Sequence, residues 1–224
     1  MFLANTLMLA AVTAFIAVIA AVVLAYGLRL SRSPIVACCA RFAGMGYALP
    51  GAVIAVGVLL PLAFVDHSLD DFLRRTFGIS SGLLLTGSMA GLVFAYLVRF
   101  LAPAYQAVDA SLAKVSPTMT LSALSLGASP RRILTRVHLP LARSGVLVAI
   151  VMVVIDAVKE LPVVLTLRPF GFTTISVWVY QLATENFWQK AALPALLIVA
   201  AAIVPVFLLF RQVRLVDPHR SPDD

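Results

Sequence analysis

Five stretches of the chain are apolar almost throughout: Thr6–Leu28, Phe42–Val65, Leu83–Val98, Leu141–Val158 and Ala191–Phe210. A helix that crosses a bilayer needs about 20 mostly apolar residues. The first two stretches meet this with no charge inside. The third reaches it if it extends to Ala102, and the fourth carries Arg143 at its start and Asp156 near its end. The pattern predicts an all-α integral membrane protein with five transmembrane helices.

Composition agrees with this reading. The 224 residues are 62% hydrophobic and 12% charged, whereas a soluble domain carries roughly 25% charged residues. A folded core alone cannot hide that much apolar surface, so lipid must be the solvent for much of the chain. The net charge of +7 is read first as membrane topology. No basic stretch is interleaved with aromatics, so no nucleic-acid partner is indicated. Cys38 and Cys39 are adjacent, which suits neither a disulfide nor a metal site. His67, His138 and His219 are scattered, and no metal site or cofactor is expected.

Charge order orients the helices. No Lys or Arg precedes the first span, and Arg29 and Arg32 follow it. A secretory signal has the opposite order and a shorter apolar core of about 7–15 residues, so a retained helix with its N-terminus outside is expected. With five spans, Arg29, Arg32, Arg41, Arg99, Lys114, Arg131, Arg132, Arg136, Arg143, Arg211, Arg214 and Arg220 share one side. Only Arg74, Arg75, Lys159, Arg168 and Lys190 fall on the other, beside Asp66, Asp70 and Asp71 of an external loop Asp66–Ser80. The positive-inside rule then predicts N-out, C-in, with residues 211–224 as a cytoplasmic tail.

Two connections are longer than a turn requires, and long loops tend to carry function. In the cytoplasmic one, residues 99–143, Pro103 is placed to open a short helix through Lys114, broken at Ser116-Pro117. A second helix is expected over Thr118–Leu126, ended by Gly127 in a left-handed conformation. Ser129 caps a third that starts at Pro130, carries Arg131, Arg132 and Arg136, and ends near Pro140. This is either a rigid knob for a partner protein or an amphipathic pair lying on anionic lipid; the chemistry leaves both open.

In the external connection, residues 159–189, Pro162 ends the fourth span, Pro169-Phe170-Gly171 makes a turn, and Thr173–Thr184 is an expected helix. Asp156, Lys159 and Glu160 at its start read as local charge pairing or as a polar lining of a translocation path. Pro50, Gly51 and Gly57 suit a kink or close helix packing. No catalytic residue is indicated, because no paired carboxylates or ligand cluster occur. There is no Gly-x-x-x-x-Gly-Lys loop with which the chain would use ATP on its own.

Leu121-Ser122-Ala123, three residues, Gly127, nine residues, then Val137-His138-Leu139-Pro140 resembles the EAA loop of binding-protein-dependent ABC importer permeases. That loop reads Glu-Ala-Ala, three residues, Gly, nine residues, Ile-x-Leu-Pro. Gly127, Leu139 and Pro140 match by identity, Ala123 matches the second alanine, Ser122 replaces the first, and Val137 is conservative. Leu121 stands in place of the glutamate. Tyr47-Ala48-Leu49-Pro50-Gly51, Lys159-Glu160-Leu161-Pro162 and Leu167-Arg168-Pro169-Phe170-Gly171-Phe172 are similar to the ferric-iron permeases of this superfamily.

Those permeases are usually double-length, and the chain resembles their second half. This implies a separately encoded half-permease or a truncated product, with residues 1–224 as one permease domain. The resemblance further implies that residues 121–140, with Arg131 and Arg132, form coupling helices seated on an ABC ATPase subunit. A second permease half, an external substrate-binding protein and a bacterial inner membrane are implied too, with ferric iron as substrate. Thiamine, polyamine or another small solute is the alternative substrate, and a non-transporting membrane scaffold the alternative of another class.

Overall fold

A computed structural model describes residues 1–30 and 33–216. Helix α1 (Phe2–Leu30) lies against α4 (Met89–Leu112) and α8 (Arg143–Lys159), and these three make the centre of the bundle. The sequence of α1 explains why they pack closely. Ala10, Ala14, Ala17, Ala21 and Ala25 recur every three or four residues and are all buried, a small-residue stripe that lets helix backbones approach. On α8, Gly145 does the same. A Cβ there would collide with the Ser111 side chain and lie 2.8 Å from the Ala107 carbonyl oxygen. Ser111 is near the end of α4 and Gly145 near the start of α8, so the two helices run antiparallel.

Among the described residues, four helices are long and apolar enough to cross a membrane: Phe2–Arg29, Gly51–Phe77, Met89–Leu112 and Trp188–Phe207. A fifth crossing is reached if Pro130–Leu141 and Arg143–Lys159, bent by 73°, count as one span.

Several expected boundaries move. The second apolar stretch is two helices, α2 (Pro34–Met45) and α3 (Gly51–Phe77), separated by a 3-10 turn at Gly46–Ala48 and an extended Leu49-Pro50. Proline disfavours helical backbone at the residue before it, which accounts for Leu49. Gly46 approaches the Val98 carbonyl so closely that no Cβ fits.

The loop expected at Asp66–Ser80 is mostly helix, because α3 continues to Phe77 and ends on Gly78 at φ 67°. Asp66 is buried and accepts hydrogen bonds from the backbone N–H groups of Leu84 (3.1 Å), Leu85 (2.9 Å) and Thr86 (2.7 Å). One turn on, Asp70 accepts from the Ser81 and Gly82 N–H groups and pairs with Arg74. The two carboxylates therefore fold the loop that leads into α4, whose first turn is capped by Ser88.

The third span is longer than expected. Pro103 opens no new helix; it is buried inside α4, which runs on to Leu112. Arg99, expected at the start of a loop, lies near the midpoint of this helix. The fourth stretch is shorter. Helix α8 has 17 residues, about 25 Å of rise against a hydrocarbon core of about 30 Å. It stops at Glu160, and α9 (Pro162–Leu167) and α10 (Ile175–Thr184) follow before α11 (Trp188–Val216). At this end of the bundle the Ile175 N–H donates to the Thr6 hydroxyl and the Asn5 amide donates to the Thr173 carbonyl.

Candidate functional site

Two places in the fold gather the residues singled out from the sequence. The first is a charged junction inside the bundle. The Arg99 Nε is 2.7 Å from Glu160 Oε2, and a second guanidinium nitrogen donates to the Leu49 carbonyl at 3.0 Å. Glu160 is 5% exposed and its other oxygen accepts the Val163 N–H at 3.2 Å, so the carboxylate also caps α9. Its backbone carbonyl accepts the Ser176 hydroxyl at the start of α10.

One arginine from an unbroken helix thus holds two breaks, Gly46–Pro50 before α3 and Glu160–Leu161 after α8. The packing leaves little room. A Cβ at Gly51 would stand 2.8 Å from Glu160 Oε1, 3.3 Å from the Arg99 Cζ and 3.3 Å from the Pro162 Cβ.

The expected set Asp156, Lys159, Glu160 and Pro162 is therefore divided. Lys159 pairs with Asp156 at 2.8 Å within α8, with the lysine side chain 59% exposed and the aspartate mostly covered. Glu160 does not join them, although it is one residue on; the helix ends there and its side chain turns to α4. Pro162 occupies the first turn of α9, where a missing N–H costs nothing. Arg99 is the residue that the sequence reading misplaced. An arginine ten positions from the nearest helix end, in an otherwise apolar run, was the available signal. A charge at such depth is costly unless it meets a partner or water.

The second place is the helix pair at the opposite end from Thr6. Helix α5 (Pro117–Ser125) begins at Ser116, whose hydroxyl accepts the Thr118 N–H, and ends in a Schellman arrangement at Gly127. The Ala128 N–H reaches the Ala123 carbonyl (3.0 Å) and the Gly127 N–H the Leu124 carbonyl (2.9 Å), with Gly127 at φ 74°. Ser129 caps α6 (Pro130–Ile133) through the Arg132 N–H. The helix expected to end at Pro140 continues as a π turn (Leu134–His138) and α7 (Leu139–Leu141), then bends sharply at Ala142 into α8.

Of the residues matched to the coupling pattern, Leu121, Ser122, Gly127, Arg131, Arg132 and Pro140 are exposed, while Ala123, Val137 and Leu139 are half-buried. Leu121, Leu124 and Leu126 are 61%, 48% and 88% exposed. Leucines of α5 and its C-cap are thus uncovered, while in the later part of the pattern Val137 and Leu139 are partly covered and Arg131, Arg132 and Pro140 stay exposed.

His138, which carried no role in the sequence, ties these parts together. It is buried, its Nε2 shares a 3.0 Å hydrogen bond with the Thr120 hydroxyl on α5, and its ring stacks edge-on against Tyr26 of α1. The Tyr26 hydroxyl donates to the Pro130 carbonyl at 2.7 Å. The protruding pair is therefore tethered to α1 at two points. Among the described residues no group of three or more His, Cys, Asp or Glu residues is arranged to hold a metal ion.

Residues 15–222 match the family described as "Binding-protein-dependent transport system inner membrane component". A curated relative, the Fe(3+)-transport system permease protein FbpB 2 of Haemophilus influenzae, is 27% identical over 205 residues. That match covers 92% of this chain but only 37% of the relative's length.

Two solved structures share the fold at 15% identity, each covering 96% of this chain and 78% of theirs. One is a bacterial alginate ABC transporter in complex with an alginate pentasaccharide-bound periplasmic protein (TM-score 0.76). The other is a bacterial ABC transporter involved in import of the acidic polysaccharide alginate (TM-score 0.73). With nearly its whole length matched by the family, the chain belongs to the inner membrane components of binding-protein-dependent transport systems.

Proposed function

We propose that this permease forms one wall of a solute path and couples it to a separate ATPase through α5 and the segment Pro130–Leu141. The observation that carries this is the uncovered α5 face. Leu121 and Leu124 stand exposed on a helix whose ends are both capped and whose base is tethered through His138 and Tyr26, with Leu126 exposed at its C-cap. A short helix with satisfied termini and an unburied apolar face suits a groove on a partner protein. Leu121, in place of the glutamate of the resembled loop, makes that contact more apolar and removes a charge from it.

In this reading the α5 end is cytoplasmic, the Thr6 end faces outside, and the membrane is a bacterial inner membrane. The clustering of Arg29, Lys114, Arg131, Arg132, Arg136 and Arg143 toward the α5 end supports the orientation without Arg99. The complex would hold a second permease half, two ATPase subunits and an external substrate-binding protein. Ferric iron is the proposed substrate, supported by the iron-permease relative and by the Lys159-Glu160-Leu161-Pro162 resemblance.

The test is co-expression with ATPase and binding-protein subunits of the same organism, followed by purification and radioactive iron uptake in proteoliposomes. Co-purification with ATP-dependent uptake is expected. Failure of the ATPase to co-purify would reject the coupling role. Uptake of thiamine or a polyamine but not iron would reject the substrate alone.

A further inference from the structure

We infer that Arg99 is a positioning residue of the solute path: with Glu160 it clamps the segment before α3 to the segment after α8, and transport requires this clamp to open. The inference rests on the permease reading above.

The clamp spans elements distant in the chain. The segment before α3 contributes the Leu49 carbonyl and the segment after α8 contributes the Glu160 carboxylate. The first segment is a 3-10 turn followed by extended Leu49-Pro50, and in the second the Glu160 N–H bonds back to the Ala157 carbonyl, so neither continues its neighbouring α-helix. Non-helical backbone at membrane depth persists only where protein buries it or where it lines a water-filled cavity. Broken spans that meet beside a charge are therefore expected at a solute path rather than against lipid.

In this structure the clamp is engaged: a Cβ on Gly51 would stand 2.8 Å from Glu160 Oε1 and 3.3 Å from the Arg99 Cζ. Next to the junction, the Lys159 side chain is 59% exposed although it lies near the depth of Arg99. An ammonium there does not face acyl chains, so this side of the junction opens onto water or another polar surface. A solute moving along that face must pass the clamp. Because the Glu160 carboxylate also accepts the Val163 N–H and its backbone carbonyl accepts the Ser176 hydroxyl, release of Arg99 would loosen the segment before α3 while Glu160 still holds α9 and α10.

The test uses the assembled complex in proteoliposomes. Arg99→Gln and Glu160→Gln are each expected to lower uptake at least tenfold and to make ATP hydrolysis independent of the binding protein. The exchange Arg99→Glu with Glu160→Arg should recover part of both. A second measurement does not depend on those variants folding. Exposed Cys38 and Cys39 are replaced by alanine, Leu49→Cys and Pro162→Cys are introduced, and the pair is joined by a short thiol-specific cross-linker that a reductant cleaves. Uptake should fall at least tenfold on cross-linking and return on reduction.

Unchanged uptake in the cross-linked complex, or wild-type uptake and stimulation in both single variants, would overturn the clamp. If the single variants fail to assemble, the cross-link decides. No uptake by the wild-type complex would instead sink the permease reading.

Discussion

Replacement of Gly127 separates backbone geometry from contact chemistry at the proposed ATPase contact. Gly127 is at φ 74°, and a Cβ added there would meet nothing within 4 Å. Crowding is therefore not the cost; the left-handed backbone is. An L-residue in that region costs about 1–2 kcal/mol, more if β-branched, while asparagine tolerates it. The cheapest relief is to break the two hydrogen bonds, Ala128 to Ala123 and Gly127 to Leu124, that close α5. That would change the angle between α5 and α6. A cost of 1–2 kcal/mol corresponds to roughly a 5–30-fold loss in the population that presents α5 correctly.

The ATPase subunit should thus bind Gly127→Ala permease about 5–30-fold more weakly than wild type. Gly127→Val should be weaker still and Gly127→Asn close to wild type. Affinity is measured by titrating ATPase onto permease in nanodiscs, and the melting temperature of the permease alone serves as the folding control. Wild-type affinity in the valine variant would refute the reasoning. So would an asparagine variant as weak as valine, because side-chain size rather than φ would then be at work.

Leu126→Asp should weaken ATPase binding at least about tenfold, as expected for an interface anchor. At 88% exposure it should leave permease melting almost unchanged; an equal shift in both would place Leu126 in the fold instead. Asp66→Asn keeps one acceptor oxygen for Leu84 and Leu85 but sets an amide against the Thr86 N–H. About 2–4 kcal/mol should be lost, seen as a lower melting temperature and faster trypsin cleavage at Arg74 and Arg75, whereas exposed Arg75→Gln should do neither. Gly145→Val should cost about 1–3 kcal/mol through collision with Ser111. Gly57→Ala, with open space around it, should be neutral or stabilising by roughly 0.5–1 kcal/mol; equal melting of the two would refute the close approach of α4 and α8.

What the sequence determined alone was whatever depends on local composition. Apolar runs long enough to cross lipid, the Gly127 helix end, the Ser129 cap and the spacing from Leu121 to Pro140 were all legible, because each is written in a contiguous stretch of chain. Tertiary structure decided the rest. Hydropathy alone made Phe42–Val65 one span; Pro50 and Gly51 marked where a kink or close packing could fall, but only packing, with Gly46 against Val98, made it a full break between two helices. Pro103 looked like a helix start, yet packing holds α4 continuous through it. Asp156 and Lys159 were found as neighbours, since three residues on a helix bring them together. Arg99 and Glu160 are 61 residues apart, and no local pattern foretells their pairing. Only the antiparallel packing of α4 on α8 brings the two charges to the same depth, where burial makes each the other's necessary partner.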